Sequence, residues 1–426
     1  MKKKMPRFSP ETGSPSGKRK RIRAGLLLLC FLAASLASAS GDRIGHDVQN
    51  TSASVTGPVS VSSRDEDAIG VQVIGNRGGD MSVTVSGDVS VQNVTDHYDH
   101  QNAAGVYVDM SAGSKAAVTL NGNITSVNTW EGGDPGNLDT LALETDVSDG
   151  GEADVTVNGS LLARSVEEGN SGYTWSAGLH SGNYGGCLSV TVNGDVTAEG
   201  PFYSVGLNAK IETDGEASSF VAVQGNVTAK DIGIRVENTA PRGSMELLVD
   251  GILSAERCIS LEGDTFEKSR FTVWKAEPLN GGSPVPAGVD VSEANAQRVE
   301  KDIRYIIRTD EKSAQYIQVE AEDYHGYSVA RAGETVPVRV QAPKGYEVAE
   351  VYGMPGNTML LPGKDGRYEL TVPACGGVEL SVSLRKKVPS TGDGSAPALW
   401  LGMVLLGLSG ARVLRGARGN HPGSGK

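Results

Sequence analysis

Val155-Thr156-Val157-Asn158-Gly159-Ser160-Leu161-Leu162-Ala163 is the stretch whose reading decides the fold. On both sides of Gly159 apolar side chains recur at every second position, with polar ones between them. Period two is the mark of an extended strand with one buried face. The arrangement returns at Gly57, Gly87, Gly122, Gly194, Gly225 and Gly251, so that successive glycines lie 30, 35, 37, 35, 31 and 26 residues apart. A fixed local pattern at unequal intervals means repeated strands joined by loops of variable length.

Stacking the repeats on the glycine produces columns. Val55, Val85, Leu120, Val157, Val192, Val223 and Val249 stand two residues before it. Val59, Val89, Ile124, Leu161, Val196, Val227 and Leu253 stand two after it. A second strand type recurs later in the repeat, as Ala68-Ile69-Gly70-Val71, Ala104-Gly105-Val106-Tyr107, Ala177-Gly178-Leu179, Val205-Gly206-Leu207 and Ile232-Gly233-Ile234. Asn-Gly between alternating runs is also a hairpin signal, which would give an antiparallel meander. Recurrence of like-sized side chains in each column favours a parallel β-helix of about seven coils, since a solenoid gains its core by that stacking. The corner glycines are expected to serve turns with positive φ, and Asp88 and Asp195 beside them to form turns. The chain is thus expected to be all-β.

The repeat domain is expected over residues 40–275. Pro278, Gly281, Gly282, Pro284, Pro286 and Gly288 mark a linker within 276–302. A short helix over 292–301 is predicted there, capped by Asp290 or Ser292. Short strands are predicted at 316–319, 336–340, 348–352, 368–372 and 378–384, giving a small β module over 303–385.

Both ends read as addresses rather than fold. Lys18, Arg19, Lys20, Arg21 and Arg23 precede an apolar run at 24–36 and the small-x-small triplet Ala37-Ser38-Ala39. This is the order of a secretory signal peptide, here residues 1–39; a permanent anchor would need a longer run. At the other end Val388-Pro389-Ser390-Thr391-Gly392 is followed by an apolar stretch at 396–408 and by Arg412, Arg415 and Arg418. A plain C-terminal membrane anchor, a transmembrane helix, is the simpler alternative, and it too would put the protein on the surface.

Residues 388–426 resemble the sorting signal of sortase-anchored Gram-positive cell-wall proteins, whose pattern is Leu-Pro-any-Thr-Gly, a hydrophobic stretch and a basic tail. Val388 stands where the pattern has leucine; Pro389, Thr391 and Gly392 match. The resemblance implies export, transient membrane retention, and transfer of Thr391 to peptidoglycan by a sortase transpeptidase. The repeats are similar to the adhesin-like β-helical regions of bacterial surface proteins. Gly345-Tyr346-Glu347-Val348 and Asp365-Gly366-Arg367-Tyr368 resemble the small β-repeat modules of such proteins, which implies a stalk.

Composition limits the partners. Nine basic and one acidic residue lie in 1–40, and four basic and one acidic in 392–426, leaving 26 basic and 49 acidic over 41–391. A formal charge of −23 there argues against nucleic acid and anionic lipid. No cofactor is expected, although acidic loops could take up calcium. Cys187, Cys258 and Cys375 lack metal-type spacing and read as small buried residues, with one disulfide open to them.

No nucleophile elbow, His-Glu-x-x-His or phosphate loop is present. No carboxylate pair recurs at a fixed column of the repeat. Asp96-His97-Tyr98-Asp99-His100 reads as a solvated turn before a metal site. The variable loops carry Tyr98, Trp130, Tyr173, Trp175, Phe202 and Tyr203 together with carboxylates. On a β-helix they would leave one side and could stack on sugar rings; equally, the aromatics could pack the loops down. The expectation is a non-enzymatic surface adhesin for a glycan or host ligand. A β-helical polysaccharide lyase or glycoside hydrolase is the alternative.

Overall fold

The computed structural model describes residues 44–388, apart from 65, 96–100, 132–136, 168–172, 264, 288–290, 355–357 and 364. The chain winds into a parallel β-helix with three faces. The corner glycine splits what reads in sequence as one strand into two, so a coil contributes three strands where two types were expected, except at Gly251, where Arg242–Ala255 runs through as one. Coil four is representative: Asn137–Ser148 on the third face, then Glu152–Val157 and Leu161–Glu167 on either side of Gly159.

Both expected columns are present. Val55, Val85, Leu120, Val157, Val192, Val223 and Val249 are consecutive register partners in parallel strands. Val59, Val89, Ile124, Leu161, Val196, Val227 and Leu253 form a second unbroken column. Every member of both is buried. On the third face, eight strands stack in chain order, and Val71, Val106, Leu143, Leu179, Leu207 and Ile234 make a third column. A meander would have paired neighbours antiparallel and scattered these residues.

The corner glycines serve close approach more than handedness. Only Gly57, Gly87 and Gly122 of the seven have positive φ. A Cβ on Gly159 would lie 2.1 Å from the carbonyl oxygen of Gly122 in the preceding coil. Asp88 and Asp195 likewise bridge coils rather than only forming turns. Asp88 Oδ1 accepts the Asn123 N–H at 2.8 Å and Asp195 Oδ1 the Asn226 N–H at 2.7 Å. Beside them Asn193 donates to Asn158, and Asn158 to Asn121, each at 2.7 Å. These side-chain ladders run along the rod and satisfy polar groups at the corner.

The segment 276–302 does more than link. Val285, Val291, Ala296 and Val299 join the same core as the coils and close the C-terminal end of the solenoid. The helix is Glu293–Asp302, with the Ser292 hydroxyl accepting the Asn295 N–H as N-cap. Arg304–Thr309 then adds to the β-helix sheet in parallel, pairing with the strand Arg270–Pro278. The C-terminal module docks on the face that includes Glu152–Val157, against its later strand Arg242–Ala255. Tyr324 Oη donates to Glu246 at 2.5 Å and Tyr327 Oη to Asp250 at 2.9 Å. Arg270 lies 3.7 Å from the Tyr324 ring centroid and Arg308 4.0 Å from that of Trp274. Among the described residues no helix is long and apolar enough to cross a membrane. The segments 1–39 and 389–426 lie outside them, while Val388 is exposed.

Candidate functional site

Among the described residues, the outer surface of the third face gathers the most strongly perturbed titratable side chains. Its strands include Gln101–Met110, Asn137–Ser148, Tyr173–Tyr184, Tyr203–Ile211 and Ile232–Asn238. Gly105, Ala142, Gly178, Gly206 and Gly233 mark a break in their alternation. At Ala142 and Leu143 two consecutive residues both belong to the interior, so Leu141 and Glu144 both face out. The glycines are needed because a Cβ at Gly178 would lie 2.5 Å from Val196 Cγ1, and one at Gly206 2.5 Å from Val227 Cγ1.

On the outer surface this slip leaves an apolar row between two rows of larger side chains, here called the trough. Its floor is Ala104, Leu141, Ala177 and Val205, which are 0–5% exposed yet stand outside the main core. One wall is the register row Asp139, Trp175 and Tyr203. The other is the row Tyr107, Glu144, His180, Asn208 and Arg235. Just beyond lies Asp109, Asp146, Gly182, Lys210 and Glu237. The Trp175 and His180 rings meet edge to face across the floor, 5.8 Å between centroids.

The hydrogen bonding fixes the imidazole. Asn208 Nδ2 lies 2.8 Å from His180 Nδ1. An amide NH2 can only donate, so Nδ1 accepts and the ring proton sits on Nε2. That Nε2 lies 4.0 Å from Asp146 Oδ1, and Asp146 Oδ1 has no hydrogen-bond partner. Lys210 is already held by Glu212 at 2.7 Å and Glu237 at 3.5 Å, and Arg235 by Glu262.

Enclosure sets the protonation states. Burial, then the charges of Asp146, Asp139 and Asp109, push Glu144 up to about 8. Burial and Asp109 push Asp146 up to about 7, against the pull of Lys210. Burial, Lys210 and Arg235 bring His180 down to about 4. Burial raises Asp109 as well, and holds the Tyr107 hydroxyl firmly protonated. Near neutrality the trough therefore presents partly protonated carboxyls and a neutral imidazole, groups that both donate and accept hydrogen bonds.

The sequence-derived aromatic set is only partly brought together. Trp175 and Tyr203 are direct register partners on one wall. Phe202, next to Tyr203, is 44% exposed. Trp130 is 2% exposed and belongs to the interior, not to an accessible face. Tyr98 lies outside the described residues, and of Tyr173 only the backbone is described, as the register partner of Asn137. The segment 96–100 also lies outside them. A carboxylate pair does occupy a fixed column, contrary to expectation: Asp109 and Asp146 are register partners. Cys187 is exposed, not buried, whereas Cys258 is buried; all three described cysteines are free. Among the described residues no group of three His, Cys, Asp or Glu side chains is placed to hold a metal ion. The chain matches no protein-family model, no curated protein and no solved structure.

Proposed function

We propose that this is an exported, wall-anchored β-helix surface protein that binds a glycan in the trough of its third face. The observation that carries the reading is an aromatic row, Trp175 and Tyr203, running beside a row of partly exposed polar side chains, Glu144 and His180, on one outer face. Sugar rings need this combination, an apolar face to stack on and polar groups for their hydroxyls. Coils repeat at ~4.8 Å along the rod, close to the length of one ring in an extended polysaccharide. A chain lying along the trough would then meet one coil per sugar.

The role is binding and display rather than turnover, as a rod with one lateral face suits. Glycan-array binding that is lost in Trp175→Ala and Tyr203→Ala supports it; unchanged binding in both ends it. A reducing-end assay over the glycans bound is expected to show no product, and steady release would favour the hydrolase reading through Glu144 and Asp146. Anchoring rests on the segment 388–426 and is tested by fractionation. Release of the protein only by wall-degrading enzymes, and only in cells with sortase, is the expected result.

A further inference from the structure

A column of small residues on the third face ends in a cysteine. Gly70, Gly105, Ala142, Gly178, Gly206 and Gly233 hold one interior position in successive coils, and Cys258 follows Gly233 between the register pairs Ile232–Arg257 and Ile234–Ile259. At Gly233 a Cβ would lie 2.5 Å from Leu253 Cδ1, a member of the second column. In the last coil the register partner of Leu253 is Ala276, whose single methyl leaves room for a thiol. Cys258 is fully buried there, and its Sγ donates to the Leu253 carbonyl at 3.4 Å. The C-terminal module covers the same point. Its turn Pro373–Gly376 is closed by the Gly376 N–H on the Pro373 carbonyl at 3.1 Å. Gly376 bridges Lys275 in the antiparallel sense, and the Cys375 carbonyl accepts the Ala276 N–H at 3.0 Å. Cys375 therefore stands opposite Ala276, the residue that makes room for Cys258. The buried Tyr305 hydroxyl is raised by the charge of either thiol, which places both beside one ring.

We propose that Cys258 and Cys375 close into a disulfide when the chain folds in an oxidising compartment, fastening the C-terminal module to the last coil. Directly opposed residues of an antiparallel pair stand about 4.5–5.5 Å apart, so both cysteines are neighbours of Ala276 on the scale that a disulfide bridges. Cys187 has no part in it: it is exposed on another face, in register with Glu152 and Ser218. One pair and one free thiol also account for an odd count. The inference is independent of the glycan reading and takes only its oxidant, an exported thiol–disulfide oxidase, from the export reading. The Cys375 thiolate attacks the oxidant's disulfide, and the Cys258 thiolate then displaces the oxidant from the Cys375 sulfur. Both thiol protons pass to water and both electrons to the oxidant, which leaves as its dithiol. Burial pushes the Cys258 thiol up to about 12 and raises Cys375 as well. Thiolate is therefore scarce in the finished fold, and the bond forms while the end of the solenoid is still open.

The test is a thiol and disulfide map of the full chain, reduced, unfolded and refolded in a buffer of reduced and oxidised glutathione, where glutathione disulfide is the oxidant and leaves as two glutathione thiols. Circular dichroism checks the refolding. Alkylation in denaturant followed by peptide mass analysis is expected to find Cys258 joined to Cys375 and Cys187 alone alkylated. Cys187→Ser should keep the link. Cys375→Ser should abolish it and leave Cys258 alkylatable. The denaturation midpoint of the oxidised chain should stand above that of the reduced chain, and the two should coincide in Cys375→Ser. Three alkylatable thiols in refolded protein, a link that includes Cys187, or glutathione retained on Cys375 beside a free Cys258 overturns the proposal. The same map made on protein recovered from cells separates the two readings. A link in the buffer with three free thiols in the cellular protein supports the pair and counts against export.

Discussion

His180 and Asn208 stand at the same register position on adjacent parallel strands, and the Asn208 amide donates to His180 Nδ1 over 2.8 Å. Burial, Lys210 and Arg235 keep the imidazole neutral, and the contact sets its tautomer, with the Nε2–H on the side of Asp146. Replacing the donor with an acceptor should reverse this. In Asn208→Asp the carboxylate would favour a proton on Nδ1 and stabilise the cation. The His180 value should move up from about 4 toward the ordinary histidine range. Imidazole nitrogen shifts followed by NMR across a pH series would show it; an unmoved titration would refute the assigned tautomer.

Stability should fall as pH rises above neutrality. Glu144 and Asp146 have folded values of about 8 and about 7, above their ordinary 4.5 and 3.8. The folded state thus holds protons that the unfolded state releases, and the stability this gives is lost as pH climbs through the folded values. His180 acts in the opposite sense, since its value is lowered from 6.5 to about 4, but only below 6.5. Between pH 6.5 and 8 the carboxyls are unopposed. A loss of roughly 1–2 kcal/mol over that interval is expected in denaturant titrations, and Glu144→Gln should flatten it.

The glycine corners should tolerate no side chain where coils touch. A Cβ on Gly159 meets the Gly122 carbonyl oxygen at 2.1 Å, whereas one on Gly215 meets nothing nearer than Thr213 Oγ1 at 3.4 Å. Gly159→Ala must push two coils apart and is expected to cost about 1–3 kcal/mol. Gly215→Ala should change stability by less than about 0.5 kcal/mol. Equal midpoints for the two variants would contradict the close-approach argument.

The docking of the C-terminal module should depend on Arg308. Its guanidinium pairs with Asp250 at 2.7 Å and lies over Trp274. Arg308→Ala leaves Asp250 with only the Tyr327 hydroxyl among these partners, a loss of about 1–3 kcal/mol. Hydrogen exchange should quicken in Glu322–Tyr324 and Tyr327–Arg331 and stay unchanged in Tyr173–Tyr184.

The columns were legible because each is anchored by a glycine at fixed distance, so local alternation alone assigns Val85, Leu120, Val157 and Val192 to one line. The trough was not, for two reasons. Its residues follow the variable loops, so their distance from the corner glycine changes in every coil. In addition, the strand that carries Glu144 and Asp146 has Ala142 where its neighbours have glycine, and it drops out of a search keyed on Ala-Gly or Val-Gly. Stacking Gly-Val-Tyr-Val-Asp at 105–109 on Ala-Leu-Glu-Thr-Asp at 142–146 and Gly-Leu-His-Ser-Gly at 178–182 would have exposed the row. The burial of Trp130 was legible in the alternation, since it stands six residues after Ile124 and in phase with it, and it was missed because the residues after Ile124 read as loop rather than strand. Cys187 ends up exposed because it opens its strand at an outward position, which composition does not register.

In a parallel β-helix the backbone hydrogen bonds between coils run along the rod, across the strands. A pull from the trough toward the C-terminus would therefore load successive ladders in series, each sharing the whole tension. Such a rod yields to stretching one coil at a time, beginning at whichever end is less secured. Here the C-terminal end is the secured one, sealed by Val285, Ala296 and Val299 and gripped by the docked module. The coils on the far side of the trough lie outside this load path and carry no tension, so the strength of the tether is set by the ladders between the trough and that sealed end.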